Sequence, residues 1–222
     1  MELTLEQIQN FKGKYPKQLW SLFTVEMWER FCFYGMRGVL TYFMVDQLLL
    51  KDDVANLQYG AIQAFVYAFT FIGGIFADKI LGFKKSLFFG GMVMILGNLL
   101  IAIAPKDMFY YGIAFSIIGT GFFKPNVSSM VGELYHEDDP RRDAGYGMFY
   151  AGINIGGFLG GILCIYLGKY YSWQLCFLAS AIVMVLGLLT FLFTKNKLGP
   201  IGNSPLSHLP KTKRLTKEIL VY

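Results

Sequence analysis

Apolar residues run along this chain in six long blocks separated by short polar stretches, at about residues 19–50, 57–79, 85–104, 108–131, 144–168 and 173–194. A helix needs roughly 20 mostly apolar residues to cross the hydrocarbon of a bilayer, so each block predicts a membrane-spanning helix. Ahead of them lies a polar segment, 1–18. Behind them, residues 195–222 carry Pro200, Pro205 and Pro210 among Gly and Ser, which predicts a cytoplasmic linker. The final stretch from Leu215 to Tyr222 reads as the start of another helix, so the chain is expected to be the first part of something longer.

Composition agrees with a polytopic membrane protein: 55% hydrophobic, 17% aromatic and 16% charged residues. The net charge of +5 follows topology. Lys12, Lys14 and Lys17 precede the first span, Lys79, Lys84 and Lys85 fill the second connection, and Arg141 and Arg142 the fourth. Lys195, Lys197, Lys211, Lys213, Arg214 and Lys217 follow the sixth span, which makes fourteen basic residues on one side. The other three connections hold only Lys51, Lys106 and Lys169. By the positive-inside rule both termini are expected in the cytoplasm, and nucleic acid is not an expected partner. No nucleophile–base set, metal cluster or phosphate loop suggests an enzyme, a metal or a cofactor. Cys32, Cys164 and Cys176 lie in apolar blocks without ligand spacing and read as small buried side chains.

The first block departs from the pattern because Glu26, Glu29, Arg30 and Arg37 interrupt it. At 100° per residue these four, with Phe33 and Tyr34, fall within an arc of about 140°. Central charges cost roughly 2.5–3.5 kcal/mol each on translocon scales, so they persist where they pair or line a watery path. Glu26 and Arg30 are four residues apart, as are Arg30 and Tyr34, which suits a Glu–Arg–Tyr chain on one face. The bland alternative is an ion pair that staples the first helix to its neighbours. Lys124, beside Pro125 in the fourth block, is expected in the same cavity, with snorkelling to the interface as its alternative. Pro125 itself should free a backbone carbonyl.

Arg30, Arg37 and Lys124 against Glu26 and Glu29 leave one positive charge in surplus, so the site should attract an anion, and a carboxylate suits arginine's planar fork. A carboxylate arriving on Arg30 would weaken its pairing with glutamate and so link substrate binding to proton binding. Tyr67 in the second block and Asn154, four after Tyr150 in the fifth, are further polar candidates. Gly152, Gly156 and Gly160, with Gly157 and Gly161, repeat every fourth residue and predict close helix packing. The connection from Gly74 to Lys85 combines a turn glycine, Asp78 and a basic cluster.

Taken in order, these motifs resemble the amino-terminal half of a proton-coupled oligopeptide transporter of the major facilitator superfamily, over about residues 17–158. Glu26-x-x-Glu29-Arg30-Phe31-x-Phe33-Tyr34-Gly35 is similar to that family's E-x-x-E-R-F-x-Y-Y-G signature, with Phe33 where its first tyrosine is usual. The 74–85 connection resembles the superfamily's gating motif, Lys124-Pro125-Asn126 the family's fourth-helix motif, and Phe149-Tyr150-x-x-Ile153-Asn154-x-Gly156 its fifth-helix signature, where Gly157-Phe158 replaces the usual Ser-Leu. The resemblance implies an all-α membrane protein in the cell (inner) membrane: a six-helix bundle over 19–194, with both termini cytoplasmic and a carboxy-terminal six-helix half as its partner. It implies symport of di- and tripeptides driven by the proton gradient, without a cofactor. Glu26, Glu29, Arg30 and Lys124 would couple protons. Arg30, Phe33, Tyr34, Arg37, Tyr67, Lys124 and Asn154 would bind substrate, and Gly74, Asp78, Lys79, Gly82, Lys84 and Lys85 would form the gating loop. Transport of another organic anion or a modified peptide stays open, as does a non-transporting membrane scaffold.

Overall fold

The computed structural model describes residues 3–208. A short helix α1 (Leu5–Gln9) opens with a capping box between Thr4 and Gln7. Six long helices follow: α2 (Lys17–Asp46), α3 (Asp52–Phe76), α4 (Phe83–Ile103), α5 (Phe109–Glu133), α6 (Arg142–Tyr170) and α7 (Trp173–Thr194). Local chemistry fixes several ends. Pro16 holds the extended entry to α2 at φ −69°, Asp52 and Asp53 sit in the first turn of α3 where the helix dipole favours acids, and Ser172 Oγ accepts from Gln174 N at 3.2 Å to cap α7. Helix α2 ends at Asp46 although the apolar run continues to residue 50; the chain reverses through Leu49 at φ 56° instead.

Among the described residues, four helical stretches are long and apolar enough to cross a membrane: Asp52–Leu81, Phe83–Ile103, Arg142–Tyr170 and Trp173–Leu198. Helices α2 and α5 are of similar length, and they carry Glu26, Glu29, Arg30, Arg37 and Lys124. The main pairings are α2 on α6 and α4 on α5, with α7 against α2 and α4, and α3 against α5.

Glycine sets the two principal crossings. In α6, Gly156 lies against the Met27 carbonyl oxygen and Arg30 Cβ, Gly160 against the Phe31 backbone, and Gly152 against the Phe23 ring, so the backbones of α2 and α6 nearly touch. Between α4 and α5, Gly90 faces Gly119, and Gly97 faces Gly112. Pro125 cannot donate to the Gly121 carbonyl four residues back, and that oxygen lies against Gly73 of α3.

One end of the bundle gathers α1, the α3–α4 and α5–α6 connections and the chain after α7. Gln9 Nε2 donates to the carbonyls of Glu133 (3.0 Å) and Tyr135 (3.3 Å). Arg141 Nη1 donates to Phe11 O and Gly13 O, and the Arg141 guanidinium stacks on the Phe11 ring at 3.9 Å. The stretch from residue 195, which the sequence pattern reads as a linker, does not run free of the bundle at its start: residues 195–204 fold back onto it. Leu198 and Ile201 are buried in the core with Met130 and Leu134, because burying two apolar side chains outweighs the polar character of their neighbours. Residues 209–222, including the expected start of another helix, lie outside the described residues.

Candidate functional site

Glu26, Glu29 and Arg30 are fully buried on α2 at the level where α6 approaches most closely. Arg30 Nε lies 3.0 Å from Glu26 Oε1, and Arg30 Nη2 pairs with Glu29 Oε2. One cation thus holds two carboxylates. Glu26 Oε2 and Glu29 Oε1 remain buried without a hydrogen-bond partner among the described residues, an arrangement that costs free energy unless a proton or cation visits.

Two flanks open from this buried pair. On one, Tyr34, Tyr150 and Asn154 line a shallow cavity of about 250 Å³ between α2 and α6. Asn154 is exposed and donates through Nδ2 to Tyr150 O at 2.9 Å, and Gly157 gives room for the Tyr34 ring. On the other flank, half-buried Arg37 donates from Nε to Tyr59 Oη at 2.6 Å, and Lys124 Nζ lies 5.8 Å above the exposed Tyr67 ring. The charge of Lys124 acts on both glutamates and on Arg30.

Most of the sequence-predicted residues therefore converge, with two corrections. Phe33 does not line an open face: its ring is buried among Met36, Leu40, Ile62 and Val66, and its face carries the Arg30 guanidinium at 5.1 Å. It is a platform for the arginine, and a cation over a ring face is attracted to it. Gly74, expected in the gating connection, belongs to the last turn of α3, where an added Cβ would meet Pro125 Cβ at 3.9 Å. The turn is made lower down, by a wide turn at Ala77–Leu81 that ends on Gly82 at φ 77°. Exposed Asp78 and Lys79 sit on that turn. Tyr59, the partner of Arg37, escaped the sequence reading. Its signal is the spacing of eight residues to Tyr67, two helical turns along the same face of α3.

The same connection is tied to the chain after α7. Lys84 Nζ donates to Gly199 O (2.5 Å) and Asn203 Oδ1 (3.0 Å), Ser204 Oγ donates to Ile80 O (2.5 Å), and Gly202 N donates to Glu133 Oε2 (3.0 Å).

The chain as a whole is similar to known proteins. The family model described as PTR2, POT family, matches residues 84–213. The chain belongs to the POT family. It is a family of transporters, not of enzymes, and its members are membrane proteins. A relative from Bacillus subtilis (strain 168), named uncharacterized transporter YclF, is 39% identical over 204 residues, 89% of this chain and 42% of its own length. Dipeptide and tripeptide permease A of Proteus mirabilis (strain HI4320) is 34% identical over 86% of this chain and 40% of the permease. The crystal structure of peptide transporter POT in complex with sulfate superposes with TM-score 0.86 at 35% identity, on 99% of this chain and 47% of that one. A POT family transporter in complex with 5-aminolevulinic acid gives 0.87 at 31% identity, over 98% of this chain and 47% of its own. The chain thus spans somewhat under half the length of the relatives it matches.

Proposed function

We propose that this chain supplies the amino-terminal half of a proton-coupled symporter for di- and tripeptides in the inner membrane. In this reading α2–α7 all cross the bilayer, both ends of the chain face the cytoplasm, and a second six-helix half closes the site. The observation that carries it is the buried Glu26–Arg30–Glu29 trio, which leaves two carboxylate oxygens unpartnered beside a basic, aromatic open face.

Arg37 and Lys124, with the Tyr34 hydroxyl, hold the peptide carboxylate; Tyr67 lines the pocket, and Asn154 accepts from the peptide amino end. Glu26 and Glu29 take the proton, with Arg30 and Lys124 setting when they do. A carboxylate that draws Arg30 or Lys124 toward itself weakens their hold on the glutamates, and the proton then compensates for the lost partner. Each elementary charge moved across 100 mV gains about 2.3 kcal/mol, enough for accumulation near fiftyfold. The α3–α4 connection, with Asp78, Lys79, Gly82, Lys84 and Lys85, moves with the opening and closing of the cytoplasmic side. The permeases named for dipeptides and tripeptides among the relatives support the peptide class.

The test is labelled dipeptide uptake into proteoliposomes that contain the complete transporter. Wild type should accumulate dipeptide under an inward proton gradient, and Glu26→Gln should bind peptide but lose gradient-driven accumulation. Uptake that ignores the gradient in wild type, or survives unchanged in Glu26→Gln, refutes the coupling. A second reading, transport of a modified peptide or another small amino-carboxylate, is favoured by the relative solved with 5-aminolevulinic acid. Its sign would be competition by that compound stronger than by di-alanine.

A further inference from the structure

At the end of the bundle that gathers α1 and the connections, a polar cavity of about 450 Å³ opens where the last turns of α5 meet the first turns of α6, with α1 and the start of α4 beside it. That volume is ordinary for a small-molecule site. Arg142, on its wall, stands twelve residues before Asn154 on α6, about 18 Å along the helix at 1.5 Å per residue. The cavity is therefore separate from the flank that Tyr34 and Asn154 line.

Arg141 and Arg142 adjoin in sequence but differ in their partners. Arg141 is engaged by Asp139, Phe11 O and Gly13 O. The half-buried Arg142 side chain makes no hydrogen bond or ion pair among the described residues, and its Nε is buried without a partner. A guanidinium keeps its charge and can only donate, so it calls for an anion. Gly132 leaves room beside it: an added Cβ would stand 2.6 Å from Tyr146 Oη and 3.4 Å from Arg142 Nη2. The rest of the wall is the opposite in character. Ser129 Oγ gives its proton to Pro125 O, Tyr146 Oη gives its own to Ser128 O, and the Gln9 amide donates to Glu133 O and Tyr135 O. Each of these three groups is left with acceptor lone pairs only. Glu133 holds Gly202 N with Oε2 and has Oε1 to spare, and exposed Glu137 makes no side-chain bond among the described residues. Neither glutamate forms an ion pair with Arg142.

One unsatisfied cation, two carboxylates and three acceptor groups around one cavity match a ligand with a carboxylate at one end and an ammonium, with its three donors, at the other. We propose that this cavity binds an amino acid or short peptide as its zwitterion. The carboxylate lies on Arg142, the ammonium on Glu133 and Glu137, and the side chain rests against Phe83 and the Tyr135 ring. An anion alone would leave the glutamates uncompensated, and a polyamine would meet Arg142. The site stands on the cavity itself. That it faces the cytoplasm, where it would meet imported peptide or the amino acids released by peptide hydrolysis, rests on the function and orientation proposed above.

Hydrogen–deuterium exchange of the complete transporter in detergent tests this, because it reads binding by position. L-leucine and dileucine are compared with 4-methylpentanoate, which lacks the ammonium, with 3-methylbutylamine, which lacks the carboxylate, and with inorganic phosphate. At roughly ten times its Kd, a zwitterion held by the closed cavity should slow exchange across residues 129–146 about tenfold. Arg142→Gln and Glu137→Gln should each weaken that binding roughly tenfold or more, as loss of a charge-assisted hydrogen bond does. Neither side chain bonds the described protein, so both variants should fold. Lys124→Gln, which disables the central site in the proposed function, should keep the protection. Stronger protection by leucine than by dileucine assigns the site to free amino acids, and the reverse assigns it to short peptides. Absence of protection by either zwitterion, equal protection by the one-ended compounds or by phosphate, persistence in both Arg142→Gln and Glu137→Gln, or loss in Lys124→Gln overturns the proposal. Proton-driven uptake is read separately, so the cavity and the transport reading fail independently.

Discussion

Alanine in place of Gly156 adds a methyl group where the Met27 carbonyl oxygen already stands and where Arg30 Cβ is 3.1 Å away. At Gly160 the same change meets the Phe31 backbone. Neither neighbour is a flexible side-chain end, so α2 and α6 must separate at the level of the Glu–Arg trio. Forced overpacking of this kind costs about 1–3 kcal/mol. Gly147 and Gly161 lie on the same helix with open space around a would-be Cβ. There alanine brings only its better helix propensity, a gain of up to about 1 kcal/mol. The two pairs of variants should therefore differ by about 1–4 kcal/mol, in opposite directions from wild type. Denaturant unfolding in detergent, read by tryptophan fluorescence, measures this, and Trp28 is a suitable reporter because it packs on Gly187 of α7 from within α2. Gly156→Ala should also lose uptake more completely than its stability loss explains, since the displaced segment carries Arg30. Equal stability of all four variants would refute the claim that backbone proximity at Gly156 and Gly160 sets the α2–α6 crossing.

Tyr59→Phe removes the acceptor of the Arg37 hydrogen bond and, at about 0.5–1.5 kcal/mol for such a bond, should change the apparent KM for dipeptide by twofold to tenfold with little change in protein stability; uptake titrations decide. Gly82→Ala places a side chain at φ 77° against the Ser204 backbone, and should loosen the chain after α7, seen as faster proteolysis between residues 199 and 208. Asp139 gives a pH signature. Hydrogen bonds from the Arg141 side chain and backbone hold its carboxyl at about 2, below the ordinary 3.8. The stabilisation is therefore present above pH 4 and lost as the pH falls from 4 towards 2. Over that range pepsin cleavage near Phe11, which Arg141 secures, should increase relative to other sites, and Asp139→Asn should show the faster cleavage at both pH values.

The long helices were legible because an apolar block of membrane length is a strong local signal, and the charges of α2 stood out because that environment makes them costly. Their angular grouping then placed Glu26, Glu29 and Arg30 together without any tertiary information. What could not be read was long-range. Phe33 shares the wheel sector of the charged residues, yet the Arg30 guanidinium and the α3 side chains cover it, and a wheel cannot show what covers a face. Leu198 and Ile201 are single apolar residues in a Pro- and Gly-rich stretch, with no periodicity to announce that they are buried. The end of α2 was read too late because Leu48, Leu49 and Leu50 continue the hydropathy after the helix has stopped, and Leu49 is 80% exposed. Gly74 and Gly82 look alike in a motif, and only the backbone angles tell the turn glycine from the packing glycine.

The buried trio also bears on how the protein is made. Helix α2 leaves the ribosome first of the six, and it is the one most burdened with charge, whereas α6, whose glycines enclose Arg30, is synthesised more than a hundred residues later. At several kcal/mol of insertion penalty, α2 alone is a poor lodger in lipid. In the topology proposed above, its secure residence in the membrane has to await a helix not yet translated, so biogenesis would pass through an interval in which this buried ion pair is sheltered by the insertion machinery or by the nascent neighbours α3–α5. Slowing synthesis between α5 and α6 would lengthen that interval, and membrane quality control would then act chiefly on α2.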